Sequence, residues 1–199
     1  MINLLKGDCI KLMQDIPDGS IDMILCDLPY YYKGQKLEYM VPLDAIWKHY
    51  ERIIKSNGAV VLHAPMDASL DKQFLNKATM NVRQIINWND GTYYRKCYVF
   101  CLETPVHNKA VLTSFNEEMS VELKKFAKYD KKHPFYLYQS PVSVMEYLIR
   151  TYTNEGDTVL DNCMGTGSTG VACVNSGRNF IGMDIDDTHY HIAQLRILQ

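Results

Sequence analysis

Residues Thr158 to Asp184 read TVLDNCMGTGSTGVACVNSGRNFIGMD, and this stretch decides the fold. Thr158 to Asp161 is a short strand, Gly165, Gly167 and Gly170 follow as G-x-G-x-x-G, and Ser168 to Ser176 reads as a helix. Phe180 to Asp184 is a second apolar strand. Strand, glycine loop, helix and strand form one parallel βαβ unit. Glycines let the backbone turn tightly and approach a ligand closely, and a helix start presents unpaired N–H groups. Asp184, ending the second strand, can accept both hydrogen bonds of a ribose diol. A glycine pattern alone is only a loop and a cap; with the strand, the helix and the acidic residue in place it points to a nucleoside.

Residues 171–199 leave room for only one strand and one helix after the loop. The rest of the sheet must therefore lie upstream, the reverse of the usual dinucleotide layout, which disfavours a nicotinamide oxidoreductase. Upstream, Ile2 to Lys6 is a strand candidate, Cys9 to Asp15 a helical turn, and Ile21 to Asp27 (IDMILCD) a strand apolar enough to be covered on both faces. Leu43 to Ser56 carries Ile46, Trp47, Tyr50, Ile53 and Ile54 at helical spacing, with Asn57-Gly58 as its stop. Gly58 to Ala64 is another buried strand, and Asp67 to Thr79 is read as helix. Val82 to Trp88 and Arg95 to Leu102 flank the turn residues Asn89 to Thr92 as an antiparallel pair. A helix from Pro141 to Tyr152 and a last helix from Asp187 complete the reading. The fold class is α/β: a mostly parallel, Rossmann-like sheet with an antiparallel strand pair at one edge and helices on both faces.

Composition agrees with one domain. The 199 residues are 47% apolar and 22% charged, ordinary for a globular chain. The net charge of −2 gives no global field for a polyanion, so any such partner must meet a local patch. The six cysteines include no C-x-x-C pair, and the six histidines show no ligand spacing, so no metal is expected. Lys6 and Asp8 interrupt the N-terminus before a secretory apolar region can form, and no long uncharged apolar run suggests a membrane span. A cytoplasmic protein is expected.

A second motif, Asp27-Leu28-Pro29-Tyr30, directly follows the buried strand. In an open α/β sheet, ligands sit beyond the carboxyl ends of strands, which is where both this motif and the glycine loop stand. Pro29 fixes its own φ and holds Leu28 extended. A carboxylate and a rigid carbonyl side by side make a two-acceptor site for an NH₂ group, and Tyr30 offers a flat stacking face. A plain strand-end turn with packing residues is the competing reading of this tetrapeptide.

The two motifs in this order resemble the amino-group DNA methyltransferases that use S-adenosylmethionine, in the permuted arrangement with the catalytic half first. Asp27-Leu28-Pro29-Tyr30 is similar to the family's Asp-Pro-Pro-Tyr tetrapeptide, in a form associated with phage-type adenine-specific members. The likeness extends over Gly7-Asp8-Cys9, Ile21 to Tyr30, Arg52 to Leu62 and Met145 to Asp186. It implies that Asp27, Leu28, Pro29 and Tyr30 hold the target base, with Asp27 also facing the cofactor. It further implies that Asp8 and Cys9 lie against the cofactor's adenine and that Asp184 accepts its ribose. Asp161, Met164, Gly165, Gly167, Ser168 and Thr169 match the loop around its amino-acid moiety. The family's His-Pro-Thr-Gln-Lys-Pro reads here as His133 to Pro141, with Ser140 in place of the lysine.

The resemblance divides the single domain into a catalytic half (1–102), a short insertion (103–140) and a cofactor half (141–199). It implies methyl transfer to the N6 amine of adenine in DNA, within restriction-modification or a related process. N4 of cytosine shares the two-acceptor chemistry, and a catalytically silent partner subunit shares the fold; both stay open. Lys124, Lys125, Lys128, Lys131 and Lys132 in the insertion are the local basic source for DNA, against a merely solvated face. So small an insertion implies relaxed specificity or a homodimer.

Overall fold

Among the described residues, seven strands form one sheet in the order β1-β7-β6-β2-β3-β5-β4. The computed structural model describes residues 1–29, 41–65, 75–89, 94–108 and 139–198. The strands are β1 (Ile2–Lys6), β2 (Ile21–Asp27), β3 (Ile54–Pro65), β4 (Asn81–Asn89), β5 (Tyr94–Cys101), β6 (Thr158–Asp161) and β7 (Asn179–Asp184). The helices are α1 (Cys9–Leu12), α2 (Leu43–Ile53), α3 (Val142–Tyr152), α4 (Ser168–Ser176) and α5 (Asp187–Ile197), with a 3₁₀ turn at Met13–Asp15. The expected α/β class holds, with one refinement. Among the described strands, only β5 runs against its neighbours β3 and β4, so the edge strand β4 is again parallel to β3.

Alternation along β2 builds the core on both faces. Ile24 and Cys26 pack on one side with Met13, Trp47, Tyr50, Ile53 and Phe100. Met23 and Leu25 pack on the other with Val144, Met145, Leu148, Ile149, Phe180 and Ile197. Such double burial is what a near-continuous apolar strand requires. On α2, the helical spacing of Ile46, Trp47, Tyr50 and Ile53 buries all four. Trp47 meets Phe100 edge-on at a centroid distance of 4.9 Å and Tyr50 at 5.7 Å.

Helix α2 ends at Ile53 rather than Ser56, and β3 begins at once with Ile54. Gly58 is therefore a strand residue, not a helix stop. A Cβ there would lie 2.8 Å from the Asp22 carbonyl oxygen and from the Ile54 side chain. The glycine allows β2 and β3 to approach where their register shifts between Ile21 and Met23. Of the expected helix over Asp67 to Thr79, only residues 75–79 are described, and 75–77 are helical. Tyr30, the turn at 90–93 and the lysines of the insertion lie outside the described residues. Among the described residues, no helix is long and apolar enough to cross a membrane.

The strand order places a switch point between β2 and β6. The chain leaves β6 through α4 toward β7, and leaves β2 through α2 toward β3 on the other side. The two connections diverge there, opening a crevice at the carboxyl ends of β2 and β6.

Candidate active site

A cleft, open at its mouth, occupies that crevice. Asp27 at the end of β2 lines it, together with Asp161 at the end of β6 and Met164, Gly165, Ser168 and Thr169 of the loop and α4. The two motifs, far apart in sequence, thus face one space. Leu28 buries its side chain in the core on the Trp47 side and leaves its backbone as the polar group next to Asp27.

The loop is fixed by side chains at both strand ends. Asp161 accepts the Thr169 hydroxyl at 2.7 Å and the Cys163 N–H at 3.1 Å. Asp184 accepts the Gly165 N–H and the Asp186 N–H, each at 2.8 Å. Gly165 and Gly167 both adopt positive φ, at 52° and 83°. A Cβ on Gly165 would meet none of the described residues, whereas one on Gly167 would stand 2.8 Å from Ile197 and 3.0 Å from Ala193. Gly165 fronts the cleft; Gly167 makes room for α5.

Asp8 and Cys9 stand at the adjoining edge, where Lys6 pairs with Asp184 and the Gly7 N–H donates to the Asp184 carbonyl at 3.0 Å. The Asp8 carboxylate caps α1 by accepting the Ile10 N–H at 2.9 Å. Cys9 turns inward, its sulfur 3.7 Å from the Asn162 amide nitrogen, which also lies 3.7 Å from Cys163. Tyr50 completes this buried group by donating to Asn162 Oδ1 at 2.6 Å. Asp8, Cys9 and Asp184 do not line the cleft; they stand at the ends of β1 and β7, tied to it by the Gly165 N–H on the Asp184 carboxylate.

Burial pushes the Asp161 carboxyl up to about 7. Among the described residues no cation pairs with it. The Ser168 hydroxyl, at the first residue of α4, is buried without a hydrogen-bond partner among the described residues. A ligand carrying an ammonium for Asp161 and a carboxylate for Ser168 and the start of α4 would satisfy both, so these residues fit the amino-acid end of S-adenosylmethionine. Thiolate chemistry does not fit. Burial pushes the Cys26 thiol up to about 12, hydrogen bonding with Cys26 raises Cys163, and hydrogen bonding with Cys163 raises Cys9. All three stay protonated and poorly nucleophilic. Among the described residues, no group of three His, Cys, Asp or Glu could hold a metal ion.

Besides apolar and thiol side chains, four polar residues not assigned to the site from sequence join it. His63 is the register partner of Asp27 on β3; it lines the cleft, is buried, and lies 3.6 Å from the Cys97 sulfur through Nδ1. Its strand was legible but its register was not. Gln139, Ser140 and Thr166 also line the cleft. Thr166 sits within the glycine pattern, while nothing in the periodicity marks Gln139.

A family model described as DNA methylase matches residues 104–195. The type II methyltransferase M2.DpnII of Streptococcus pneumoniae is 40% identical over 240 residues, covering 98% of this chain and 88% of that protein. M.HinfI of Haemophilus influenzae, also a type II methyltransferase, is 25% identical, covering 98% of this chain and 67% of its own. Among solved structures, the M1.HpyAVI–SAM complex superposes with a TM-score of 0.70 at 25% identity, covering 98% of this chain and all of that one. The cytosine-N4-specific PvuII DNA methyltransferase shares the fold, with a TM-score of 0.75 at 16% identity over 100% of this chain and 86% of that one. The chain belongs to the N6/N4 amino-group DNA methylase family.

Proposed function

We propose that this protein transfers a methyl group from S-adenosylmethionine to the exocyclic N6 amine of adenine in DNA. The observation that carries the reading is the meeting of Asp27 with Asp161, Gly165 and Ser168 in one cleft at the switch point of the sheet. A two-acceptor strand end faces a loop suited to an amino-acid tail. The chain's own segments divide accordingly: 1–102 for the base, 141–199 for the cofactor, and 103–140 for the DNA backbone. The work is cytoplasmic.

The N6 lone pair of adenine is delocalised into the ring, so the amine is a poor nucleophile. Asp27 and the Leu28 carbonyl accept its two hydrogens and favour the pyramidal nitrogen. Asp27 then takes the proton that the methylated nitrogen gives up. Tyr30 stacks on the base, which must leave the duplex to reach the cleft. When bound, S-adenosylmethionine supplies an electrophilic methyl on a sulfonium. Asp161 and Ser168 hold the amino-acid end, and Asp184 accepts the ribose. Catalysis is positioning, not covalent chemistry.

The test is incubation with methyl-labelled S-adenosylmethionine and DNA, followed by digestion to nucleosides. Label in N6-methyladenine supports the reading. Label in N4-methylcytosine would move the substrate to the other base of the same chemistry. No label, with the cofactor still bound, would make the chain a silent partner subunit.

A further inference from the structure

Helix α5 lies on the glycine loop because Gly167 and Gly170 make room for it: side chains there would run into Ala193 and Ile197. The last turn of this helix carries Arg196, which is half-buried. Its Nη1 donates to the Thr166 carbonyl at 2.5 Å and to the Thr166 hydroxyl at 3.0 Å. With the Gln139 amide turned so that its oxygen faces the guanidinium, Nη1 and Nη2 both donate to that oxygen. Gln139 is buried, and Gln139, Ser140 and Thr166 all line the cleft. Arg196 itself does not line it.

One side chain thus holds two walls that are remote in sequence. Gln139 and Ser140 precede α3, whereas Thr166 belongs to the loop before α4. A planar fork with several donors in fixed directions engages an amide oxygen and a backbone carbonyl together in one preset geometry; a lysine ammonium has three donors but sits on a flexible stem that does not fix their directions.

We propose that Arg196 is a positioning residue for the methyl donor: by clamping Gln139 to Thr166 it fixes the width of the cleft at the cofactor's amino-acid end. The proposal rests on the assignment of this cleft to S-adenosylmethionine. It acts on the amino-acid end because Thr166 lies between Gly165 and Ser168, beside Asp161. A ligand without an amino-acid tail does not reach this clamp.

Calorimetry with two ligands tests it: S-adenosylhomocysteine, which has the tail, and 5′-methylthioadenosine, which lacks it. Arg196→Gln should weaken the first by about 10-fold or more and leave the second within about 2-fold. The KM for S-adenosylmethionine should rise in step, with kcat nearly unchanged. Gln139→Leu should do the same, and the double variant should lose no more than the worse single one, because both cut one clamp. Arg196→Lys keeps the charge and the helix, so its melting temperature should stay near wild type while S-adenosylhomocysteine still binds more weakly. Equal losses for both ligands, additive losses in the double variant, or full affinity in Arg196→Lys would each overturn the clamp. A wild-type protein that binds neither ligand would instead overturn the assignment of the cleft.

Discussion

Thr169 donates its hydroxyl to Asp161 Oδ2 at 2.7 Å, and both residues are buried. The first turn of α4 thus holds the carboxyl that ends β6. Burial raises this carboxyl from an ordinary 3.8 to about 7, against the opposing pull of its hydrogen bonds from Thr169 and Cys163. The folded chain therefore binds a proton more tightly than the unfolded one. Its contribution to stability is complete below the unfolded value and is lost as pH rises through the folded value. Between about pH 4 and pH 7 the unliganded protein should lose a few kcal/mol from this group, at about 1.36 kcal/mol per pKa unit. Asp161→Asn should flatten that part of the profile in urea unfolding. An identical slope in the variant would assign the pH dependence to other groups.

Asp27→Ala should abolish methyl transfer and leave S-adenosylhomocysteine binding within a few-fold. Removing one group aimed at the reacting centre costs on the order of 10²–10³-fold in rate. Because Asp27 ends β2 at the mouth of the cleft, its loss opens no core cavity. Tyr30→Phe should keep substantial activity, since the stacking face survives, whereas Tyr30→Ala forfeits about 1–3 kcal/mol of stacking. Equal losses for Phe and Ala would mean that the hydroxyl matters more than the ring.

Asp184→Ala should weaken cofactor binding by roughly 1.5–3 kcal/mol, the worth of hydrogen bonds to a charged acceptor. The carboxylate already takes N–H groups from Gly165 and Asp186, so part of this loss comes through the loop it holds. Titration with S-adenosylhomocysteine separates the cases. Unchanged affinity removes Asp184 from the site.

The parallel half of the fold was legible because its signals are local. β6 and α4 fall where the apolar run, the glycines and the helix-forming stretch put them, at Thr158–Asp161 and Ser168–Ser176. The junction of α2 with β3 was misread because Asn57-Gly58 is a common helix stop, while the need for Gly58 comes from Asp22 on another strand. The site shows the same division. Asp27 and Asp161 could be placed at strand ends from sequence, since apolar runs end there. His63 depends on register with β2, and Arg196 on how α5 packs over Gly167 and Gly170; neither is encoded by neighbours in the chain.

The two loop glycines should separate stability from binding. Both sit at positive φ, where a Cβ costs roughly 1–2 kcal/mol. Gly167→Ala adds overlap with Ala193 and Ile197 and should lower the melting temperature markedly. Gly165→Ala meets none of the described residues, so its cost in stability should be only the backbone strain, while its methyl projects into the cleft and weakens S-adenosylhomocysteine binding. Reversed phenotypes would show that the ligand approaches Gly167 instead.

DNA contact is the part that the cleft does not supply. A sequence-specific interface buries on the order of 1,000–2,500 Å² of protein and is anchored by phosphate contacts. With a net charge of −2, the clearest basic source is Lys124, Lys125, Lys128, Lys131 and Lys132. A segment as short as 103–140 should position DNA more than read it, so the active species should be either relaxed in sequence specificity or a homodimer whose second subunit completes the DNA surface. Replacing Lys124, Lys125 and Lys128 together by Gln should weaken DNA binding at every sequence alike. It should also flatten the dependence of log K on log salt by up to about 0.9 per lost phosphate contact. An unchanged slope would put the DNA on another surface. A monomer by sedimentation that methylates one long unique site and ignores all others would sink the relaxed-or-dimeric expectation, because so small an insertion would then be reading sequence alone.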